Sequence, residues 1–321
     1  MAKSYRHLTY EQRCQICILK ERGDSLSKIS QILGVHRSTI TRELQRNSGV
    51  QRYHYEQAHQ KAQDRRKQSH CLKMTPEMIL FIEEKLKIDW SPVQISGWLK
   101  KHGKEYVSYE TIYKHIWENK KGGGTLFKHL RHSGKKYNKR SKGTAGRGCI
   151  PGRVDIKERP SIVEEKTRLG DWELDTIIGA QHRGAIVSMV ERTTKLTKLK
   201  KVSHKTAEEV KNALIEMLFP LLKFILTLTS DNGKEFAFHQ IVSTVLEADF
   251  FFATPYHSWE RGLNEHTNGL VRQYFSKSAS FDDISDEDVK RVEDLLNNRP
   301  RKILGFETPF EAFQRMTAMA S

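Results

Sequence analysis

The 321-residue sequence predicts a multidomain chain, with all-α helix-turn-helix units in its N-terminal part and an α/β domain after them. Three observations predict this. Short helical patterns, several with Ser or Thr in front and Gly behind, fill residues 8–117. From Ile150 onward, β-branched and apolar runs alternate with helical ones. The charge divides at the same place: residues 1–150 carry a net +18 and residues 151–321 a net −2. A basic arm joined to a near-neutral body is the layout of a protein that holds a polyanion.

The boundaries follow from these shifts. A helix-turn-helix domain is expected over residues 1–50, and a connecting helix with a second such unit over 51–132. A basic linker follows over 133–149, then the α/β core over 150–280 and a C-terminal helical extension over 281–321. No run of 18 apolar residues exists, and Met1-Ala2-Lys3-Ser4-Tyr5-Arg6 has no apolar signal region. A cytoplasmic protein with no membrane partner is therefore expected. Cys14 and Cys17 share one face of a helical run and no second zinc-spaced pair follows, so free thiols are expected.

Helix 10–22 starts behind Thr9 and ends at Gly23, and a short one from Ser25 closes at Gly34. In the next, Val35, Ile40 and Leu44 turn inward and leave Arg37, Ser38, Thr39, Thr41 and Arg42 outward. Two short helices with a Gly in the turn, the second showing arginines and small hydroxyls, match a DNA-binding helix-turn-helix. Arg suits guanine edges, and hydroxyls suit phosphate or base. The reading against it is a plain three-helix packing module. A second unit is expected over residues 75–117, with Thr75-Pro76 and Ser91-Pro92 as starts and Ser108 as a cap. There Ser108, Tyr109, Thr111 and Lys114 are the candidate DNA contacts. Trp98, Ile112, Ile116 and Trp117 would serve equally well as core. Gly122-Gly123-Gly124 lacks the Lys-Ser or Lys-Thr of a phosphate loop and reads as a hinge. Lys135, Lys136, Lys139, Arg140, Lys142 and Arg147 give the linker a charge that suits phosphates.

In the C-terminal half, strand-like runs at 172–178, 185–190 and 196–202 precede a helix over 206–219. A strand from Phe224 delivers Asp231 to the turn Asp231-Asn232-Gly233, and a helix from Gly262 carries Glu265, with 33 residues between the two acids. Asp175 lies on the first strand. Three carboxylates on two strands and a helix meet only if the sheet gathers them, and such oxygen ligands suit hard divalent cations. Taken singly, Asp-Asn-Gly is an ordinary turn and a helical Glu an ordinary solvated one. Periodicity also leaves Asp171, Glu173 and Asp175 on one strand face, and Glu260 competes with Glu265.

Trp172-Glu173-Leu174-Asp175, Ser230-Asp231-Asn232-Gly233-Lys234-Glu235-Phe236 and Asn264-Glu265-His266-Thr267-Asn268-Gly269-Leu270-Val271-Arg272-Gln273 resemble bacterial insertion-sequence transposases with an Asp-Asp-Glu triad, IS-thirty branch. The resemblance spans nearly the whole chain. It implies a ribonuclease-H-like core related to retroviral integrases, with Asp175, Asp231 and Glu265 holding two Mg²⁺ or Mn²⁺ ions. It implies double-stranded DNA as partner, both element ends and target, with a homodimer or higher oligomer on it in the bacterial cytoplasm. Arg272, two helical turns beyond Glu265, is a candidate phosphate clamp or the partner of a local acid. The Asn298-Arg299-Pro300-Arg301 pattern is shared with the family and carries no readable chemistry. The alternatives are a metal nuclease that cuts without joining and a helix-turn-helix repressor.

Overall fold

The computed structural model describes residues 7–49, 52–71, 74–131, 150–255 and 257–320. The expected basic linker, 133–149, lies outside the described residues. The chain divides into two units, Met1–Phe81 and Ile82–Ser321.

In the first unit, α1 (Tyr10–Glu21), α2 (Leu26–Ile32), α3 (Arg37–Asn47) and α4 (Tyr55–Cys71) surround Ile16, Ile29, Ile40 and Ala58, all fully buried. Thr9 and Gln12 cap α1 reciprocally, and Ser25 caps α2. Gly34, at φ +63°, makes the turn between α2 and α3 in the left-handed region that glycine adopts without cost. Helix α3 begins at Arg37, because His36 is its cap: the His36 ring accepts the Ser38 N–H at 3.2 Å. Inside, Arg13 Nε donates to Glu43 Oε1 at 2.7 Å, and the Tyr53 hydroxyl donates to the same oxygen at 3.2 Å. This buried pair fastens α1 to α3. Cys14 and Cys17 are free thiols, Cys17 buried.

Helix α5 (Pro76–Lys87) spans the division. The second unit continues with α6 (Pro92–Lys101), capped by Ser91 and Gln94, and α7 (Tyr109–Lys121), capped by Ser108. Ile112 and Ile116 are buried, Trp98 is half-buried, and Trp117 is exposed. The indole of Trp117 is therefore surface, not core.

A short α8 (Ile162–Glu165) leads into β1 (Asp171–Ile178), β2 (Ala185–Glu191) and β3 (Thr197–Val202). These three pair antiparallel as a meander. After α9 (Ala207–Leu218), strands β4 (Thr227–Ser230) and β5 (Asp249–Phe252) join in parallel on the other side of β1, around α10 (His239–Leu246). The order is β3-β2-β1-β4-β5, the ribonuclease-H-like sheet. The strand before Asp231 is shorter than expected, because Phe219–Phe224 winds into 3-10 turns behind Pro220.

Alternation along β1 decides what each face meets. Trp172 and Leu174 face a core with α9 and α10, through Val210, Leu214, Val242 and Leu246. Ile177 faces the opposite core, with Leu270 and Val271 of α11 (Gly262–Tyr274) and Val289, Val292 and Leu296 of α12 (Asp286–Asn297). Helix α13 (Pro309–Ala320) ends the described chain. Glu173 and Asp175 therefore sit on the α11 face.

Candidate active site

The three acids of β1 that share a face have separate partners. Asp171 is buried and takes two hydrogen bonds from Arg168, at 2.9 and 3.0 Å, with a third from the Thr227 hydroxyl at 2.8 Å. Its oxygens are consumed by structure. Glu173 is buried too: Oε1 accepts from Arg192 Nη1 at 2.7 Å, and Oε2 accepts the Asn264 backbone N–H at 3.3 Å. Asp175 instead meets Asn268 and Arg261. Its Oδ2 accepts from Asn268 Nδ2 at 2.6 Å, and its Oδ1 lies 3.3 Å from Arg261 Nη2.

Asp231 stands directly after β4, where its Oδ1 accepts the Gly233 N–H at 3.0 Å and closes the turn. Asn232 pins that turn by donating to Ala253 O at 2.6 Å. Asp231 Oδ2 lies 3.5 Å from Arg261 Nη1, so one guanidinium spans Asp175 and Asp231. The sheet thus brings two of the three predicted acids together. Burial pushes the Asp175 carboxyl above its ordinary range, the Arg261 charge opposes this, and the Asp231 charge adds to it.

Helix α11 is docked at its start. Arg261 Nη2 and Asn264 Nδ2 both donate to Leu174 O, at 2.5 and 3.1 Å. Glu265 follows, exposed on the first turn. Among the described residues no three His, Cys, Asp or Glu side chains converge as a metal cluster. Glu260, its competitor, accepts the Thr254 N–H at 2.8 Å and contacts the His257 ring at 3.2 Å, which ties it to its own loop. Arg272 donates to Ile178 O at 2.6 Å and Ser276 O at 3.3 Å and stacks over Phe281, fastening α11 to the end of β1.

Arg261 and Asn268 were not singled out in the sequence. For Asn268 a signal was present, since it lies three residues after Glu265 on the same helix, a spacing that shares a face, whereas Arg261 stands before α11 begins. Asn268 is itself held, since the Ser188 hydroxyl donates to its Oδ1 at 2.9 Å and Ser188 is the cross-strand neighbour of Asp175.

The donor set bears on the metal. Two half-buried carboxylates already share a cationic group, and their hard oxygens match a hard divalent cation. Asp175 and Asp231 fit that role.

In the first unit, Arg37 and Arg42 are exposed on α3, with Ser38, Thr39 and Thr41 half-buried beside them. Arg42 Nη2 donates to the Ser38 hydroxyl at 2.8 Å, and Thr41 to Arg37 O at 3.2 Å. On α7, Tyr109 and Lys114 are exposed, while Ser108 and Thr111 are engaged in the cap at 3.1 Å between hydroxyls.

A helix-turn-helix domain model matches residues 4–47. The transposase for insertion sequence element IS4351 of Bacteroides fragilis is 46% identical over 314 residues, covering 97% of this chain and 96% of that one. Transposase InsI for element IS30A of Escherichia coli strain K12 is 32% identical over 331 residues, covering 99% and 86%. The chain belongs to the IS30 family of insertion-sequence transposases. The catalytic core of BIV integrase overlaps 46% of this transposase and 96% of its own length, at 20% identity and a TM-score of 0.37. As an IS30-family transposase it is an enzyme of the DDE type that cleaves and joins DNA, and its helix-turn-helix domain binds DNA. No helix among the described residues is long and apolar enough to cross a membrane.

Proposed function

We propose that Asp175, Asp231 and Glu265 are the three acids of this transposase and hold Mg²⁺ or Mn²⁺, two ions per site. The observation that carries this reading is the single Arg261 guanidinium reaching both Asp175 and Asp231 across neighbouring strands. When bound, the cations supply Lewis-acid activation of an attacking oxygen and stabilisation of a leaving one. The protein's part is placement. Strands β1 and β4 fix the two aspartates, Asn268 orients Asp175, and α11 offers Glu265 from its first turn.

Water attacks the phosphorus at the element end, and the departing strand is left with a 3′-hydroxyl. That hydroxyl then attacks a target phosphorus and displaces the target strand's own 3′-oxygen. Arg37, Ser38, Thr39, Thr41 and Arg42 of α3 meet the terminal repeat, with Ser108, Tyr109, Thr111 and Lys114 of the second unit beside DNA as well. Arg272 serves the DNA indirectly, by holding α11. Two ends enter one reaction, so a homodimer or higher assembly works on DNA in the cytoplasm.

The test is one incubation of purified chain with labelled end DNA, a target plasmid and Mg²⁺ or Mn²⁺. Joined products are expected. Cleavage without joining would make the chain a nuclease, and binding with neither would make it a repressor.

A further inference from the structure

The Asn298-Arg299-Pro300-Arg301 stretch after α12 has no part in the chemistry above. Pro300 sets two arginines one residue to either side of it. Arg299 is only 3% exposed; it donates to the Tyr274 hydroxyl, and its guanidinium lies 5.9 Å from that ring. Arg301 is half-buried and donates to Leu296 O at 3.1 Å. A third arginine arrives from far away in sequence. Arg131 Nη2 lies 3.2 Å from where a Cβ would stand on Gly269, so the glycine gives that guanidinium room against α11, one turn past Glu265.

The cluster has donors to spare. The Nε atoms of Arg299 and Arg301 are buried and meet no acceptor. Among the described residues none of the three arginines forms an ion pair with a carboxylate. Asp89, which bonds to the same Tyr274 hydroxyl, pairs with His129 at 3.1 Å. Residues 132–149 contain no Asp or Glu at all. The arginines also feel one another. Arg301 is pushed down to about 10 by burial first and then by the charges of Arg299 and Arg131, and Arg131 is lowered by burial and by Arg299. Gathering three cations with unused donors costs stability unless an anion answers them.

We propose that Arg131, Arg299 and Arg301 form a phosphate-binding site that seats the backbone of the DNA end beside α11. Planar guanidiniums match phosphate oxygens in pairs, which fixes position as well as charge. Arg131 and Arg301 reach the phosphate, and Arg299, locked against Tyr274, supplies charge from behind. The site rests on the reading that α11 carries Glu265, since its use is to hold the scissile end at that helix.

Hydroxyl-radical footprinting of the full chain on a duplex ending in one terminal repeat tests it. Wild type is expected to protect the tip as well as the interior of the repeat. The Arg131→Gln/Arg301→Gln variant should lose protection at the tip alone, with the salt slope of binding smaller by about two. Its melting temperature should hold or rise, because like charges have been removed. Arg131→Lys/Arg301→Lys should keep part of the tip protection. Unchanged tip protection in the glutamine variant would overturn the site. So would a wild-type tip left open, or a lower melting temperature with protection lost throughout, which would mark the cluster as scaffold. Footprinting needs no cutting, so a chain that protects the tip yet never cleaves would sink the catalytic reading and leave this one standing.

Discussion

Glu173 Oε2 accepts the backbone N–H of Asn264 at 3.3 Å, so a buried carboxylate two residues before Asp175 holds the residue just before Glu265. The same Glu173 pairs with Arg192, whose other nitrogen reaches Glu164 at 3.0 Å. Glu164 also takes the Arg159 guanidinium, and Arg159 Nη1 donates to the Thr229 hydroxyl at 2.8 Å, two residues before Asp231. One chain of charges, buried except at the exposed Glu164, thus touches β1, β4 and α11 within two residues of each proposed acid.

Replacing Glu173 with Gln keeps an acceptor for Asn264 and strips Arg192 of its main counter-charge. Breaking a buried pair costs about 3–5 kcal/mol, so the melting temperature should drop clearly. Joining should fall about 10- to 100-fold and need more Mn²⁺, while end-DNA binding stays at the wild-type level. A variant that joins at the wild-type rate and the wild-type Mn²⁺ requirement would show that this chain of charges does not position the acids.

Arg261 spans Asp175 and Asp231, and Arg261→Gln would leave two carboxylates facing each other without a cation. The metal-free variant should melt lower than wild type. Added Mn²⁺ should raise its melting temperature by more than it raises that of wild type, because the ion replaces a lost charge and binds only the folded state. Equal Mn²⁺ shifts in the two proteins would mean that the cation binds elsewhere.

Much of this was legible in the sequence. The apolar run at 172–178 and its neighbours at 185–190 and 196–202 became three paired strands whose ends shift by about one residue. The assignment of roles along β1 was not legible. A period of two places Asp171, Glu173 and Asp175 on one face, and what separates them is the partner each meets. Thr227 is 56 residues from Asp171 and Asn264 is 91 from Glu173. No local pattern carries that information. Arg261 was hidden for the same reason: it reads as a loop arginine until β1 and β4 bring their aspartates to it. The 3-10 turns ahead of β4 were missed because an apolar run after a proline has no period of its own.

Arg42 is exposed on α3 and braced by the Ser38 hydroxyl at 2.8 Å, which presents its guanidinium in a fixed direction. Arg42→Ala should weaken binding to the terminal repeat by about 1–3 kcal/mol and binding to random DNA by much less, as for a base-reading arginine. Competition binding at one salt concentration measures both. Equal losses would make Arg42 a phosphate contact instead.

The central claim is that Asp175, Asp231 and Glu265 carry the chemistry, and the joining assay tests it acid by acid. Asp175→Asn, Asp231→Asn, Glu265→Gln and Glu260→Gln would each be given end DNA, a target plasmid and Mn²⁺, with end binding measured alongside. The first three should bind the repeat normally and give no joined product above background, while Glu260→Gln should retain joining. Joining near the wild-type rate by Asp175→Asn, Asp231→Asn or Glu265→Gln would contradict the triad, and loss of joining in Glu260→Gln with Glu265→Gln active would move the third acid to Glu260.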